Sequence, residues 1–461
     1  MVLMLDKRSA AKVYSLMNRT SRYHRRHHQP ASPTRKLAVE ILRDVLHRGL
    51  PLQQSLETAE AYRKLESRDR RFVRRVITLS LRHHGQVQAI LSTYISRPPK
   101  GRDRLAMVIL GMAVAQLVWG KAEAHATVDQ AVRLMRDYRM DHLSGMVNAV
   151  LRRIAGDAAD LATTTDPAEN VPAWLMEAIR SDWPDQCQNI ISSLMATPAL
   201  DIRPQKDPAK WAEILNGAEL KHGSVRLGDG HVPELEGYDE GHWWVQDAAA
   251  SLPAILLGDI RGKTVVDLCA APGGKTAQLC AAGANVIAVD ASAERIERLE
   301  ENMARLGFSP QIIHADGLNW IPDKPVDAVL IDAPCSATGT LRRRPDIWTH
   351  EKAPDFEHLA RIQHGLLERA ASYLNTGGIC IYATCSILKR EGEDIAAKPP
   401  AGFKPLRIEN NETPGFERVI TDHHHMLRLH PHALRLDSSA NIPQGNDGFF
   451  IARFINSPER V

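Results

Sequence analysis

Two cysteines stand where strand-like sequence spills into loops. In "VLIDAPCSATGT" an apolar run leads into Asp332, Pro334 and Cys335, and in "GGICIYATCS" the arrangement recurs fifty residues later with Cys385. A serine follows each. A free thiol has a pKa of ~8.5 and is only a few per cent ionised at neutral pH, so a nucleophilic cysteine needs surroundings that favour the anion. The chemistry that calls for such a group is attack on a carbon that is not itself reactive, and C5 of a pyrimidine is one. A thiolate that adds at C6 turns the ring into an enamine, C5 attacks an electrophilic methyl group, a base removes the C5 proton, and the thiolate leaves. Asp332 fits that scheme because its carboxyl group can accept from the cytosine amine and, carrying a proton, donate to N3, where uracil would offer a carbonyl. Enzymes that methylate exocyclic amines typically carry an Asn/Asp-Pro-Pro-aromatic turn here; this chain has Asp332-Ala333-Pro334-Cys335.

The methyl donor is suggested by "VVDLCAAPGGKTAQL", a strand, a turn of small residues and a helix start. In doubly wound sheets ligands bind at the carboxyl ends of the strands, beside helix N-termini. "GGKT" resembles a P-loop, but that motif requires glycine where Cys269 stands, so the phosphate cradle is incomplete. The dinucleotide pattern G-x-G-x-x-G is missing as well. Asp290, ending the next strand, can accept hydrogen bonds from both ribose hydroxyls, and Asp316, after the third strand, is placed to meet an adenine. Ribose and adenine recognition without a phosphate cradle points to S-adenosylmethionine. Lys275 in the same loop would favour a nearby thiolate.

The elements that must position these residues alternate strand and helix. Strands are predicted at 264–268, 285–289, 311–315, 327–331 and 379–383, with helices between them, giving a doubly wound parallel sheet. Residues 33 to about 154 instead show helical spacing, as in "RKLAVEILRDVLHRG" and "RLAMVILGMAVAQLVWG". In "SRDRRFVRR" the side chains of Arg71, Arg74 and Arg75 share one helix face, suited to phosphates. Charge is sorted along the chain: residues 1–160 carry 29 Lys/Arg against 14 Asp/Glu, and 161–461 carry 29 against 41. A basic module joined to an acidic one suggests a polyanion-binding part attached to a part with another task. The expected organisation is a basic disordered tail (1–32), a helical domain (33–158), a small α+β connecting domain (159–240) and the α/β domain (241–456). Trp243 and Trp244 enter a strand and are expected to lie one in the core and one at its rim.

No apolar run reaches the ~20 residues that cross a bilayer. The six cysteines form no C-x-x-C pair, which speaks against zinc and against a disulfide framework and favours a reducing, cytoplasmic setting. Cys187, Cys280 and Cys380 are expected to be core residues. His423, His424 and His425, with His430 and His432, lack a cysteine or paired carboxylate at ligand spacing, so they read as a solvated loop and no metal is expected.

"CAAPGGK", "DAPCSATGTLRRRPDI" and "YATCSI" resemble the RNA 5-methylcytosine methyltransferases, and the whole layout is similar to the RsmB (Sun/Fmu) family of bacterial 16S rRNA cytosine-C5 methyltransferases. "MVNAVLRR", "VPAWL", "GHWWVQDAAAS" and "DGFFIARF" extend the likeness over nearly the whole chain after the first thirty residues. The resemblance implies an all-α NusB-like RNA-binding domain, a small α+β middle domain and a Rossmann-like class I methyltransferase domain. It further implies Cys385 as the nucleophile and Cys335 as the residue that assists breakdown of the adduct; Asp332 and Lys275 join the catalytic group on their own chemistry. Cys269, Ala270, Ala271, Pro272, Gly273, Gly274, Lys275, Asp290, Asp316 and Asp332 would hold S-adenosylmethionine. The expected partner is small-subunit rRNA, with no membrane, and the expected state is a monomer. One segment departs from the family: after "TCS" the usual Pro-Glu-Glu-Asn-like run is replaced by Leu388-Lys389-Arg390-Glu391-Gly392. Residues 394–447 are also longer than the resemblance requires. An RNA-stimulated ATPase built on the near-P-loop and a non-catalytic RNA-binding protein are the rival readings.

Overall fold

The computed structural model describes residues 29–228, 230, 232–416, 426–436 and 442–457. The seven Lys/Arg of the basic tail and His423 to His425 lie outside them. The chain forms two compact units that divide between Asn170 and Val171.

The first unit is helical. Its long helices are α1 (Pro33–Arg48), α2 (Ser67–Arg82), α3 (His84–Tyr94), α4 (Leu105–Val118), α5 (Ala124–Asp137) and α6 (Ser144–Thr164). Helix α4 is apolar nearly all round, so it can be stable only as the buried centre, and the other helices turn one apolar face toward the same core. Pro33 opens α1 with its φ already set for a helix; Gly49 ends it in the left-handed region, where its N–H and that of Leu50 satisfy the carbonyls of Val45 and Asp44. Helix α2 buries Val73, Val76, Ile77 and Leu81 and leaves Arg68, Arg71, Arg74 and Arg75 exposed, as the arginine spacing requires.

The second unit holds two sheets. Helices α7 (Ala173–Asp182) and α8 (Cys187–Met195) lead into a four-stranded antiparallel sheet ordered β2-β3-β1-β4, from β1 (Leu200–Pro204), β2 (Ala218–Glu219), β3 (Val225–Leu227) and β4 (Trp243–Val245), with α9 (Pro208–Ile214) against it. Successive side chains of a strand point to opposite faces. Trp243 therefore packs in the small sheet's own core, with Ile202, Trp211 and Val225, while Trp244 packs the other way, against Ala270, Leu299 and Met303. Both tryptophans are buried, so the expected rim position is corrected: each face of β4 is covered, and neither ring is open for stacking.

The large sheet takes β5 (Thr264–Leu268), β6 (Asn285–Asp290), β7 (Gln311–His314), β8 (Val326–Asp332), β9 (Leu374–Thr384), β10 (Phe403–Pro405), β11 (Leu427–Leu429) and β12 (Phe449–Asn456). Its order is β10-β12-β9-β8-β5-β6-β7, with β11 also paired to β12. The five expected strands run parallel, with α10 (Gly274–Ala281), α11 (Ala293–Leu306) and α12 (Phe356–Tyr373) in the connections. The sheet is nonetheless mixed, because β10, β11 and β12 join it antiparallel. "FFIARF" is buried on both sides and so carries no alternation that would reveal its direction. Parallel pairing places the carboxyl ends of β5 to β9 along one edge, and the loops expected to do chemistry all leave from that edge.

His430 and His432 do not lie in a solvated loop. Their rings stack on each other, and His430 meets the edge of Trp183, where burial first and the nearby Arg428 second push it down to about 3. Among the described residues no cluster could hold a metal ion, and no helix is long and apolar enough to cross a membrane.

Candidate active site

Strands β8 and β9 are neighbours in parallel register, with Asp332 opposite Ala383. The loops that follow them therefore meet, and Cys335 Sγ lies 3.5 Å from Cys385 Sγ. Gly339 closes the pair of loops: its N–H donates to the Cys385 carbonyl at 2.8 Å, its carbonyl accepts from Gly448, and a Cβ here would lie 2.0 Å from the Gly448 oxygen. Both cysteines are half-buried. The Cys385 sulphur, burial and the charge of Glu391 together hold the Cys335 thiol well above its ordinary range. Arg343 interacts electrostatically with Cys385 and is itself held by Asp447, whose N–H donates to Asp247. Of the other cysteines, Cys380 is in the core as expected, whereas Cys187 and Cys280 are only half-buried, each at the margin of a different apolar cluster.

Asp332 ends β8 beside this pair, and Lys275 donates to its Oδ2 at 2.6 Å. Lys275 thus reaches the carboxylate rather than a sulphur, with its ammonium over the Phe449 ring at 5.2 Å. The glycine loop runs from Cys269, at φ 61°, to Gly274, the first residue of α10. Gly273 has φ 102°, and a Cβ on it would sit 2.5 Å from Leu299 Cδ1, so both conformation and packing demand glycine. Asp290 accepts from Ala271 N at 3.1 Å and Ser292 N at 3.0 Å, bracing the loop from the next strand. Asp316 is exposed just beyond β7 and accepts from Leu318 N and Asn319 Nδ2. Burial pushes the Cys269 thiol up to about 12, which makes it a packing group of the loop and not a nucleophile.

Two residues went unnoticed in the sequence. Asp267, on β5 beneath the glycine loop, is buried; its Oδ2 accepts from Thr276 at 2.6 Å and its Oδ1 has no hydrogen-bond partner. An acidic residue inside "TVVDL" was the available signal. Glu391 is also buried, and it accepts from Ser336 N at 2.7 Å and from the hydroxyls of Ser336 and Ser386. Nothing in its spacing announced it. The orphaned Asp267 oxygen, beneath a loop that Asp290 braces with Arg295 alongside, suits a ligand rich in ammonium and hydroxyl donors, as S-adenosylmethionine is.

Residues 254–455 match the family model described as 16S rRNA methyltransferase RsmB/F, and residues 32–156 match the NusB family. The chain is 30% identical over 443 residues to ribosomal RNA small subunit methyltransferase B of Serratia proteamaculans, covering 91% of this chain and 98% of that one. The chain belongs to the RsmB family of 16S rRNA methyltransferases. The namesake protein of Pseudomonas syringae is 32% identical, over 80% of this chain and 91% of its own. In fold, the chain is similar to the crystal structure of PH0851, with a TM-score of 0.71 at 20% identity over 92% of this chain and 99% of that one. NSun6 from Pyrococcus horikoshii, solved with SFG, gives 0.52 at 19% identity over 63% of this chain and 100% of that one. Membership makes the protein an S-adenosylmethionine-dependent methyltransferase with a NusB-like helical part, and Lys275, engaged with Asp332, is not disposed as a phosphate-binding P-loop lysine.

The buried carboxyl gives this RsmB-family member a pH signature. Burial pushes Asp267 up to about 7, against the Thr276 hydroxyl and the Lys275 charge, with Asp332 and Asp290 adding to the rise. Between the ordinary carboxyl range and pH 7 the folded chain therefore holds a proton that the unfolded chain has released, and stability falls as pH rises through that window. Asp267→Asn is expected to flatten this fall in urea midpoints measured from pH 4 to 8. Asp447, pushed up to about 6 by burial, contributes a fall of the same sign that the variant keeps.

Proposed function

We propose that the protein transfers a methyl group from S-adenosylmethionine to C5 of a cytosine in small-subunit rRNA through a covalent bond between Cys385 and C6. The observation that carries this reading is the 3.5 Å approach of two thiols beside the Asp332–Lys275 pair, at the edge of the sheet from which the glycine loop also leaves. S-adenosylmethionine supplies an electrophilic methyl group. The glycine loop Cys269 to Lys275, with Asp267, Asp290, Asp316 and Asp332, binds it, Asp290 taking the ribose and Asp316 lying toward the adenine.

Asp332 accepts from the cytosine amine, and the Lys275 ammonium bound to it offsets the negative charge that builds on the ring as the thiolate adds. The Cys385 thiolate adds to C6, and the displaced electron pair makes C5 nucleophilic. C5 takes the methyl group as the bond from that group to the sulfonium sulphur breaks; a base then takes the C5 proton, the C–H electron pair closes the C5–C6 double bond, and the C6–S bond breaks with its electron pair returning to the Cys385 sulphur. Cys335, in contact with Cys385, assists this release and leaves the chain unmodified. The helical domain 33–158, with Arg71, Arg74 and Arg75 in one exposed row, holds the RNA backbone by phosphate neutralisation, which positions without reading sequence. Residues 159–240 connect it to the catalytic domain 241–456, and the basic tail 1–32 adds phosphate affinity. The protein works as a monomer in the cytoplasm.

The test is RNA carrying 5-fluorocytidine. Fluorine at C5 cannot leave as a proton does, so the adduct cannot be released after methylation. The protein, mixed with such small-subunit rRNA and S-adenosylmethionine, is expected to give a complex that survives denaturing electrophoresis. Methylation of ordinary rRNA at C5 with no trapped complex on the fluorinated RNA would sink the covalent scheme.

A further inference from the structure

The segment that departs from the family, Leu388 to Gly392, contains a carboxylate tied to both cysteine loops. Glu391 is 1% exposed, and its two oxygens accept from Ser336 N, Ser336 Oγ and Ser386 Oγ. Those serines are the residues that follow Cys335 and Cys385. The two hydroxyls also approach each other at 3.3 Å, and Thr338 Oγ1 lies 3.1 Å from Ser386 Oγ, so one acceptor gathers the whole hydroxyl cluster. Among the described residues Glu391 has no ion-pair partner: the neighbouring Arg428 is paired with Glu393 and donates to the carbonyl of Ser386. A carboxylate buried among neutral donors has no direct ion pair to offset its charge.

That charge is unevenly shared. Glu391 takes both the N–H and the hydroxyl of Ser336, next to Cys335, but only the hydroxyl of Ser386, next to Cys385, and its charge bears on the Cys335 thiol. The remaining ionisable groups around the pair are Tyr382, whose hydroxyl donates to the Glu391 carbonyl at 2.8 Å, the Arg428–Glu393 pair, the Asp332–Lys275 pair, and Asp447 with Asp247 behind Arg343. Lys275, Arg428 and Arg343 each pair directly with a carboxylate, and Asp247 lies with Asp447 beside Arg343 and the buried Arg342, whereas Glu391 is held by neutral donors alone.

We propose that Glu391 is a positioning residue for the thiol pair: it ties the two loops together through Ser336 and Ser386, and its carboxylate, held closest to the Cys335 loop, makes Cys335 the less reactive of the two sulphurs. The roles of nucleophile and assistant rest on the reading given under Proposed function, but the order of reactivity toward an alkylating agent does not. Two thiols on equivalent strand ends thereby become inequivalent through a residue that touches neither base nor methyl donor.

The experiment is alkylation of the full chain by iodoacetamide from pH 6 to 10, with the modification of Cys335 and Cys385 followed separately by peptide mass spectrometry. In the wild type Cys385 is expected to react at lower pH than Cys335. Glu391→Gln keeps the shape and removes the charge, and it is expected to raise the Cys335 rate at pH 7.5 by roughly tenfold, the equivalent of about one pKa unit. Ser336→Ala removes one tether and keeps the charge, and is expected to leave that rate within about twofold. Cys335 reacting before Cys385 in the wild type overturns the proposal without any variant. So does a folded Glu391→Gln protein with an unchanged Cys335 profile, or an equal response to Ser336→Ala. No RNA or methyl donor is present, so failure of the adduct chemistry and failure of this assignment are read separately.

Discussion

Cys385→Ala is expected to abolish methyl transfer and adduct formation together, while Cys335→Ala accumulates an RNA adduct that survives denaturation. Without a sulphur at position 385, C6 has no nucleophile and C5 never becomes an enamine carbon. The loss in rate should be at least ~1,000-fold, or roughly 4 kcal/mol of transition-state stabilisation. Cys335→Ala leaves the attack in place and removes the group in contact with the departing sulphur. A denaturing gel of small-subunit rRNA incubated with each variant and S-adenosylmethionine separates the two outcomes. The reverse pattern, with adduct building up on Cys385→Ala, would exchange the two roles and keep the fold and the methyl donor. Cofactor affinity measured by calorimetry should be nearly the same in both variants, because the glycine loop and Asp290 belong to other strands.

Arg226→Met is expected to cost about 3–5 kcal/mol of stability in the second unit. Arg226 and Asp201 face each other on β3 and β1, joined by Nε to Oδ1 at 2.7 Å and Nη2 to Oδ2 at 2.8 Å, and both are shut off from solvent. Arg226 also donates to the Pro443 carbonyl, and Asp201 accepts from Ala248 N. Removing the cation leaves a buried carboxylate without its counter-charge, and burial already biases Asp201 toward its protonated form. Urea denaturation with the unchanged first unit as an internal reference would measure the loss. Adding Asp201→Leu should recover part of it, since a buried ion pair is often replaceable by apolar groups. The Ala248 N–H would remain without an acceptor, at a cost of ~1–3 kcal/mol, so recovery is incomplete. An Arg226→Met protein as stable as the wild type would show that the pair contributes little.

Much of the site was legible because it is carried by short runs. "CAAPGGK" needs Gly273 at positive φ, and "DAPCS" and "TCS" follow apolar runs whose strand character is plain. The parallel strands were legible for the same reason: apolar runs of five or so residues alternate with helical stretches. What spacing could not give was pairing across the chain. β12 is buried on both faces and shows no period, so its antiparallel insertion beside β9 had no local sign. Trp243 and Trp244 looked alike in sequence and are separated only by the pleat, which sends one to each of two cores. His430 looked like part of a solvated histidine run and is instead packed on Trp183.

By itself the sequence determined the residue types: two thiols after strands, a carboxylate before one of them, a glycine turn with acidic strand ends behind it, and a basic helical part. Those follow from local propensities and side-chain chemistry, which act over a few residues. The tertiary structure decided that the two sulphurs touch, that Lys275 answers Asp332, and that Asp267 and Glu391 are buried carboxylates facing the machinery. Such facts depend on parallel register and on which groups lose water when distant segments pack. Distance and desolvation set those energies, and neither is a property of neighbours in the chain.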